Sequence, residues 1–131
     1  MPAFTTITVN DRESTPVAHA FGVSDKQDAR LLLTEKKSVP IGNFTLSLGW
    51  RKSGGRFHRK VMLTMPEVVT ETINGVSVPS VLHTSLLDMT LRFDEKSSEQ
   101  HRKNAVGMFY NLLASGQTDM MKLLIDLEAG W

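Results

Sequence analysis

FTLSLGWRKSGGRFHRKVMLTMP, residues 44–66, reads as two strands joined by a Gly54-Gly55 turn. Successive side chains of an extended chain point to opposite faces. On the first arm Phe44, Leu46, Leu48 and Trp50 therefore share one face, and Thr45, Ser47, Gly49 and Arg51 the other. On the second arm Phe57, Val61, Leu63 and Met65 alternate with His58, Lys60, Met62 and Thr64, and Arg59 breaks the rhythm near the turn. One apolar face and one polar-to-basic face are what an antiparallel sheet covered on a single side requires.

Charge singles out the same hairpin. The chain carries 15 Lys and Arg against 14 Asp and Glu, a net of +1. Residues 51–60 hold Arg51, Lys52, Arg56, Arg59 and Lys60 without an acid, so they contribute +5 and the remainder −4. A basic cluster on a nearly neutral chain points to a directed anionic partner. Charge also protects exposed strand ends from pairing, so a merely solvated hairpin tip fits the composition equally well.

Toward the N-terminus, Phe4–Asn10 and Val17–Val23 read as a short hairpin around the polar turn 10–16, lying outside the main sheet. Residues 24–28 form a polar connection. Arg30–Lys36 is short and close to Pro40 and Gly42, which favours a strand over a helix. Toward the C-terminus, Val68–Ile73 and Val76–Val78 flank Asn74-Gly75, a strong two-residue hairpin signal because both central residues need positive φ. Pro79 ends that arm or places it at an edge. Val81–Phe93 is a further strand, with Thr84, Leu86, Asp88, Thr90 and Arg92 on one side and Leu87, Met89, Leu91 and Phe93 on the other.

The periodicity changes after Asp94-Glu95-Lys96. Ser97 and Gln100 have capping-box spacing, and Ala105, Val106, Met108, Phe109, Leu112 and Leu113 recur at helical steps, with Gly116 as a left-handed stop. A second helix opens at Thr118. Strands followed by helices make the class α+β, with a hairpin at 4–23, a sheet at 30–93 and two helices at 97–129 in one domain spanning 1–131. The helices would cover the apolar face. A second copy continuing the sheet would protect its edges, although a monomer is also compatible with the sequence.

Catalytic patterns are missing from the chain. His19, His58, His83 and His101 are scattered, and no HExxH, GxSxG or phosphate loop occurs. There is no cysteine, no apolar run of membrane-spanning length, and no N-terminal segment resembling a secretion signal. The expectation is a non-enzyme without cofactor or metal.

Several segments taken together resemble the coat protein of single-stranded RNA bacteriophages of the levivirus type. They are Asn10–Glu13, Val39–Leu48, Pro66–Pro79 with Thr72-Ile73-Asn74-Gly75-Val76, Thr84-Ser85, Phe93–Ser97 and Val106-Gly107-Met108. The resemblance spans nearly the whole chain. It implies an N-terminal hairpin, a five-stranded antiparallel sheet and two helices that clasp a partner, giving an obligate homodimer with a ten-stranded sheet. It further implies a T=3 icosahedral shell assembled in the bacterial cytoplasm, with the polar face toward single-stranded genomic RNA and the 72–79 loop packing around symmetry axes.

Such dimers also bind an RNA stem-loop and so repress replicase translation. The implied RNA-binding residues are Thr45, Ser47, Arg51, Arg56, His58, Lys60, Thr64, Leu86 and Asp88, with Thr84 and Arg92 lining the same side. Thr45 and Ser47 match positions that contact an unpaired adenine. Leu86 stands where an aromatic residue often stacks, Asp88 where an amide bonds a base, and Lys60 and Met62 replace a small-polar and lysine pattern. A dimeric RNA-binding regulator that builds no shell is the alternative reading.

Overall fold

The structure, a computed structural model, describes residues 4–130. The chain divides into two compact units, Met1–Arg92 and Phe93–Trp131. The strands are β1 (Thr6–Asn10), β2 (Ala18–Gln27), β3 (Arg30–Glu35), β4 (Phe44–Ser53), β5 (Arg56–Ile73) and β6 (Val76–Asp94). They form one six-stranded sheet in the order β1-β2-β3-β4-β5-β6, so each strand pairs with its neighbour in sequence.

The architecture is α+β as expected, but the strand count is six, without a separate five-stranded sheet. The hairpin does not lie outside the sheet, because β2 runs through residues 24–27 and pairs with β3 from Gly22↔Thr34 to Gln27↔Arg30, with a bulge between Val23 and Asp25. Polar side chains on both faces of that segment removed the alternation that marks a strand. The reversal into β3 uses Ala29 at φ 62.

Two prolines also fail to interrupt strands. Pro66 lies inside β5 and Pro79 inside β6, so four expected arms merge into two strands of 18 and 19 residues. The β4–β5 ladder runs from Ser53↔Arg56 to Thr45↔Thr64, which leaves Pro66 beyond it. Pro79 sits in the terminal strand of the order, where one side has no strand of this chain to receive a donor. Proline's fixed φ suits an extended chain, and its missing N–H costs little at such positions.

The turns behave as their sequences require. Gly54 and Gly55 have φ of 60 and 74, and Asn74 and Gly75 have φ of 51 and 78. The register assembles the apolar face: Leu33 opposes Leu46, which opposes Leu63, and Leu31 opposes Leu48, which opposes Val61. Phe21, Leu31 and Leu33 are buried, with Ile7, Phe44, Leu46, Leu48, Trp50 and Leu63 packed around them.

The second unit holds α1 (Glu99–Leu112) and α2 (Thr118–Leu124). The N-cap of α1 is Ser98, whose Oγ accepts from the His101 backbone N–H at 3.1 Å. Ser97, the expected cap, instead donates its hydroxyl to the Asp94 carbonyl at 2.6 Å and accepts from Arg102. Gly116 does not take the left-handed conformation expected of it; α1 is closed by Leu113 at its C-cap, with φ −88. No residue of α1 or α2 is buried. Of the expected apolar stripe Met108 is 70% exposed and Val106, Phe109 and Leu112 are 49%, 44% and 44% exposed.

Candidate nucleic-acid interface

Residues directly opposed in adjacent strands share a face, so the ladder decides which side chains lie together. Thr45 opposes Thr64, Ser47 opposes Met62, Gly49 opposes Lys60, Arg51 opposes His58 and Ser53 opposes Arg56. All seven expected residues of β4 and β5 therefore lie on one face, the one turned away from Leu46 and Leu63. On β3 the same face carries Arg30 opposite Gly49, Leu32 opposite Ser47 and Thr34 opposite Thr45.

Three rows cross the sheet as a result. Thr34, Thr45 and Thr64 form a hydroxyl row. Leu32, Ser47 and Met62 form a row with one hydroxyl between two flexible apolar groups. Arg30, Gly49 and Lys60 form a row in which a residue without a side chain separates two cations. Arg51 and Arg56 continue the positive charge toward the Gly54-Gly55 turn, with the His58 ring opposite Arg51.

The basic cluster seen in the sequence is thereby split. Arg51, Arg56 and Lys60 lie on the polar face, whereas Lys52 and Arg59 lie on the opposite one, where Lys52 opposes Phe57. Lys52 Nζ is 5.2 Å and Arg59 Cζ 5.6 Å from the Phe57 ring centroid, within cation–π range. Arg59 Nη1 also donates to the carbonyls of His58 at 3.0 Å and Arg51 at 3.4 Å. Arg30 partly restores the count, and it was missed because nothing local marks it: only the β3–β4 register brings it beside Lys60.

On β6, Thr84, Leu86, Asp88, Thr90 and Arg92 are exposed, while Met89, Leu91 and Phe93 are half-buried. This alternation puts Asp88 with Thr90 and Arg92 but does not reach Leu86, because Leu87 beside it is exposed as well, at 55%. Leu86 is 61% exposed, a large apolar side chain on an otherwise polar row. His83 lies elsewhere, paired with Glu67 at 2.6 Å.

The groups with displaced pKa values are off this face. His19 shares the side of Phe21, since Ile7 opposes Phe21 and Val9 opposes His19. Hydrogen bonds from the Val17 backbone and from His19 hold the Asp11 carboxyl down at about 2. Asp11 and Glu35 raise His19 above its ordinary value. Burial pushes Glu35 up, but Lys37 and His19 together outweigh it and leave the carboxyl lowered.

Comparison with known proteins fits this arrangement. The family model described as "Levivirus coat protein" matches residues 2–131. The capsid protein of Pseudomonas phage PRR1 is 31% identical over 123 residues, covering 93% of this chain and 94% of the relative. Among solved structures, the virus-like particle of bacteriophage ESE058 superposes with a TM-score of 0.83 at 19% identity, covering 99% of this chain and 100% of the other. The bacteriophage GA protein capsid gives 0.79 at 15% identity, covering 97% and 96%. No helix among the described residues is long and apolar enough to cross a membrane. A six-stranded sheet followed in the chain by two helices, matched to the family model over residues 2–131, makes this chain a member of the levivirus coat protein family, a structural capsid protein and not an enzyme.

Proposed function

We propose that this protein pairs with a second copy of itself and assembles into a T=3 icosahedral shell. The polar sheet face would hold single-stranded genomic RNA through Thr45, Ser47, Arg51, Arg56, His58, Lys60, Thr64, Leu86 and Asp88. The observation that carries the RNA side is the ladder, which gathers seven of these residues from β4 and β5 onto one face and adds Arg30. A face of hydroxyls and cations over an apolar layer suits phosphates and sugars at many positions, hence packaging of a long RNA.

Surface area supports self-association. The chain exposes 10198 Å². Two separately compact bodies of the lengths of its two units would expose about 8,100 Å². The excess of roughly 2,000 Å² is of the size that obligate dimers bury. Exposed Val106, Met108, Phe109, Tyr110 and Leu112 give α1 a broad apolar arc open to a partner. In this proposal both units act as one coat subunit, the helices clasp the second copy, and the sheet continues across the pair at the open side of β6. The 72–79 segment, which is the tip of the β5–β6 hairpin around Asn74-Gly75 and not an irregular loop, meets its equivalents around symmetry axes with Ile73 and Val76 exposed. Binding of a stem-loop with repression of translation rests on Thr45 and Ser47 lying in adjacent rows of this face.

The test is expression of this chain alone, followed by electron microscopy and measurement of nucleic acid per particle. Shells containing RNA are expected, with RNA content reduced in the double variant Arg51→Gln, Lys60→Gln. Monomers without particles would overturn the capsid proposal, and unchanged RNA content in the variant would overturn the assignment of the face.

A further inference from the structure

We propose that Asp11, His19 and Glu35 form a proton-operated latch that fastens the loop end of the β1–β2 hairpin to the end of β3. The latch is closed while His19 carries its proton and released when the proton leaves. His19 Nε2 lies 2.8 Å from Asp11 Oδ2, and His19 Nδ1 lies 2.9 Å from both Glu35 oxygens. Both ring nitrogens thus face carboxylates, which only accept hydrogen bonds when ionised. A neutral imidazole has one N–H and the imidazolium has two, so this geometry needs the protonated ring. On deprotonation one nitrogen lone pair would face a carboxylate.

Position makes the cluster consequential. The β2–β3 backbone ladder runs from Gln27↔Arg30 to Gly22↔Thr34, and His19 lies past its end. Here the hairpin is joined to β3 through side chains, His19 in this cluster and Phe21 in the core. Asp11 organises the hairpin loop, since its Oδ1 accepts from the Glu13 N–H at 3.1 Å and the Val17 N–H at 2.9 Å. Glu35 is anchored from the other side by Lys37, whose Nζ lies 4.3 Å from the Phe44 centroid, while the His19 ring stacks on Phe44 at 5.9 Å. The side chains of His19 and Glu35 are only 18% and 13% exposed, so solvent screens the contact weakly.

The charged groups facing His19 are Asp11 from the hairpin loop, Glu35 from β3 and Lys37 just after it. With the proton the four sum to zero, and without it to −1. The pKa of His19 is raised in the folded chain, so its contribution is complete below the ordinary value of 6.5 and is lost as pH rises through the raised value. Asp11 works at the other end: its contribution is present above 3.8 and lost as pH falls through about 2. Between these limits the hairpin is fastened, and a rise of pH through the raised His19 value releases it.

Hydrogen exchange read by mass spectrometry on the full expressed chain, in whatever assembly it adopts, tests this. Exchange at the imidazole C2 position should report a His19 midpoint above 6.5, and peptides within residues 6–19 should lose protection severalfold across that midpoint after correction for intrinsic rates. Peptides of β4 should hold theirs. His19→Gln should flatten the pH profile of residues 6–19, and Glu35→Gln should lower the His19 midpoint even if the His19 variant folds poorly. An ordinary or depressed His19 midpoint, or a wild-type pH profile in His19→Gln, would overturn the latch.

Discussion

Lys60 could be assigned to the polar face from the sequence because its own strand alternates, whereas Arg30 could not, because its place depends on a neighbouring strand. If both bind phosphate across Gly49, replacing either with Gln lowers the slope of log affinity against log salt by about 1. Titration of single-stranded RNA binding between low and moderate salt measures this, and an unchanged slope for Arg30→Gln would remove that residue from the interface. Leu86 offers a gain-of-function counterpart. An aromatic ring there could stack on a base, worth about 1–3 kcal/mol, so Leu86→Tyr should tighten RNA binding. Unchanged affinity would show that no base reaches that exposed position. In the core, Leu33 is fully buried, and Leu33→Ala should cost about 2–5 kcal/mol in denaturant unfolding.

Among the elements, β5 and β6 are tied by a two-residue turn whose φ angles only a few residue types adopt without strain. Deleting Asn74-Gly75 should leave folded dimers, detectable by size exclusion, yet impair closure of shells in electron micrographs. Normal shells from the deletion would take the turn out of assembly. The start of α1 separates two neighbouring serines. Ser98→Ala removes the cap of the His101 N–H and should cost about 1 kcal/mol. Capping-box spacing pointed one residue too early, because the Ser97 hydroxyl donates to the Asp94 carbonyl and accepts from Arg102. A hydroxyl engaged in that way is no longer free to cap.

For the whole molecule, exposed area exceeds what compact bodies of these lengths show, and exposed apolar side chains on α1 and α2 account for part of it. A protein stabilised by a second copy unfolds at a temperature that rises with its concentration. Dilution across two orders of magnitude should therefore lower the melting temperature. Tyr110→Asp should favour the lone subunit and abolish particles if α1 faces the partner. A melting temperature independent of concentration, with particles absent, would count against assembly by this route.

Composition and alternation in the sequence determined the α+β class, the central hairpin, both two-residue turns and the pair of C-terminal helices. They did so because side-chain period and positive φ are local properties of the chain. They also placed Thr45, Ser47, Arg51, His58, Lys60 and Thr64 on one side, since parity within a strand does not depend on its neighbours. Tertiary structure alone decided that the N-terminal hairpin joins the sheet, that Pro66 and Pro79 pass through long strands, and that Lys52 and Arg59 part from Arg51 and Lys60 to sit against Phe57. It also brought Arg30 beside Lys60 and closed Asp11, His19 and Glu35 into one cluster. Each of these depends on which backbone groups of a neighbouring strand stand opposite, and register between strands is settled by cross-strand packing that no single stretch of sequence contains.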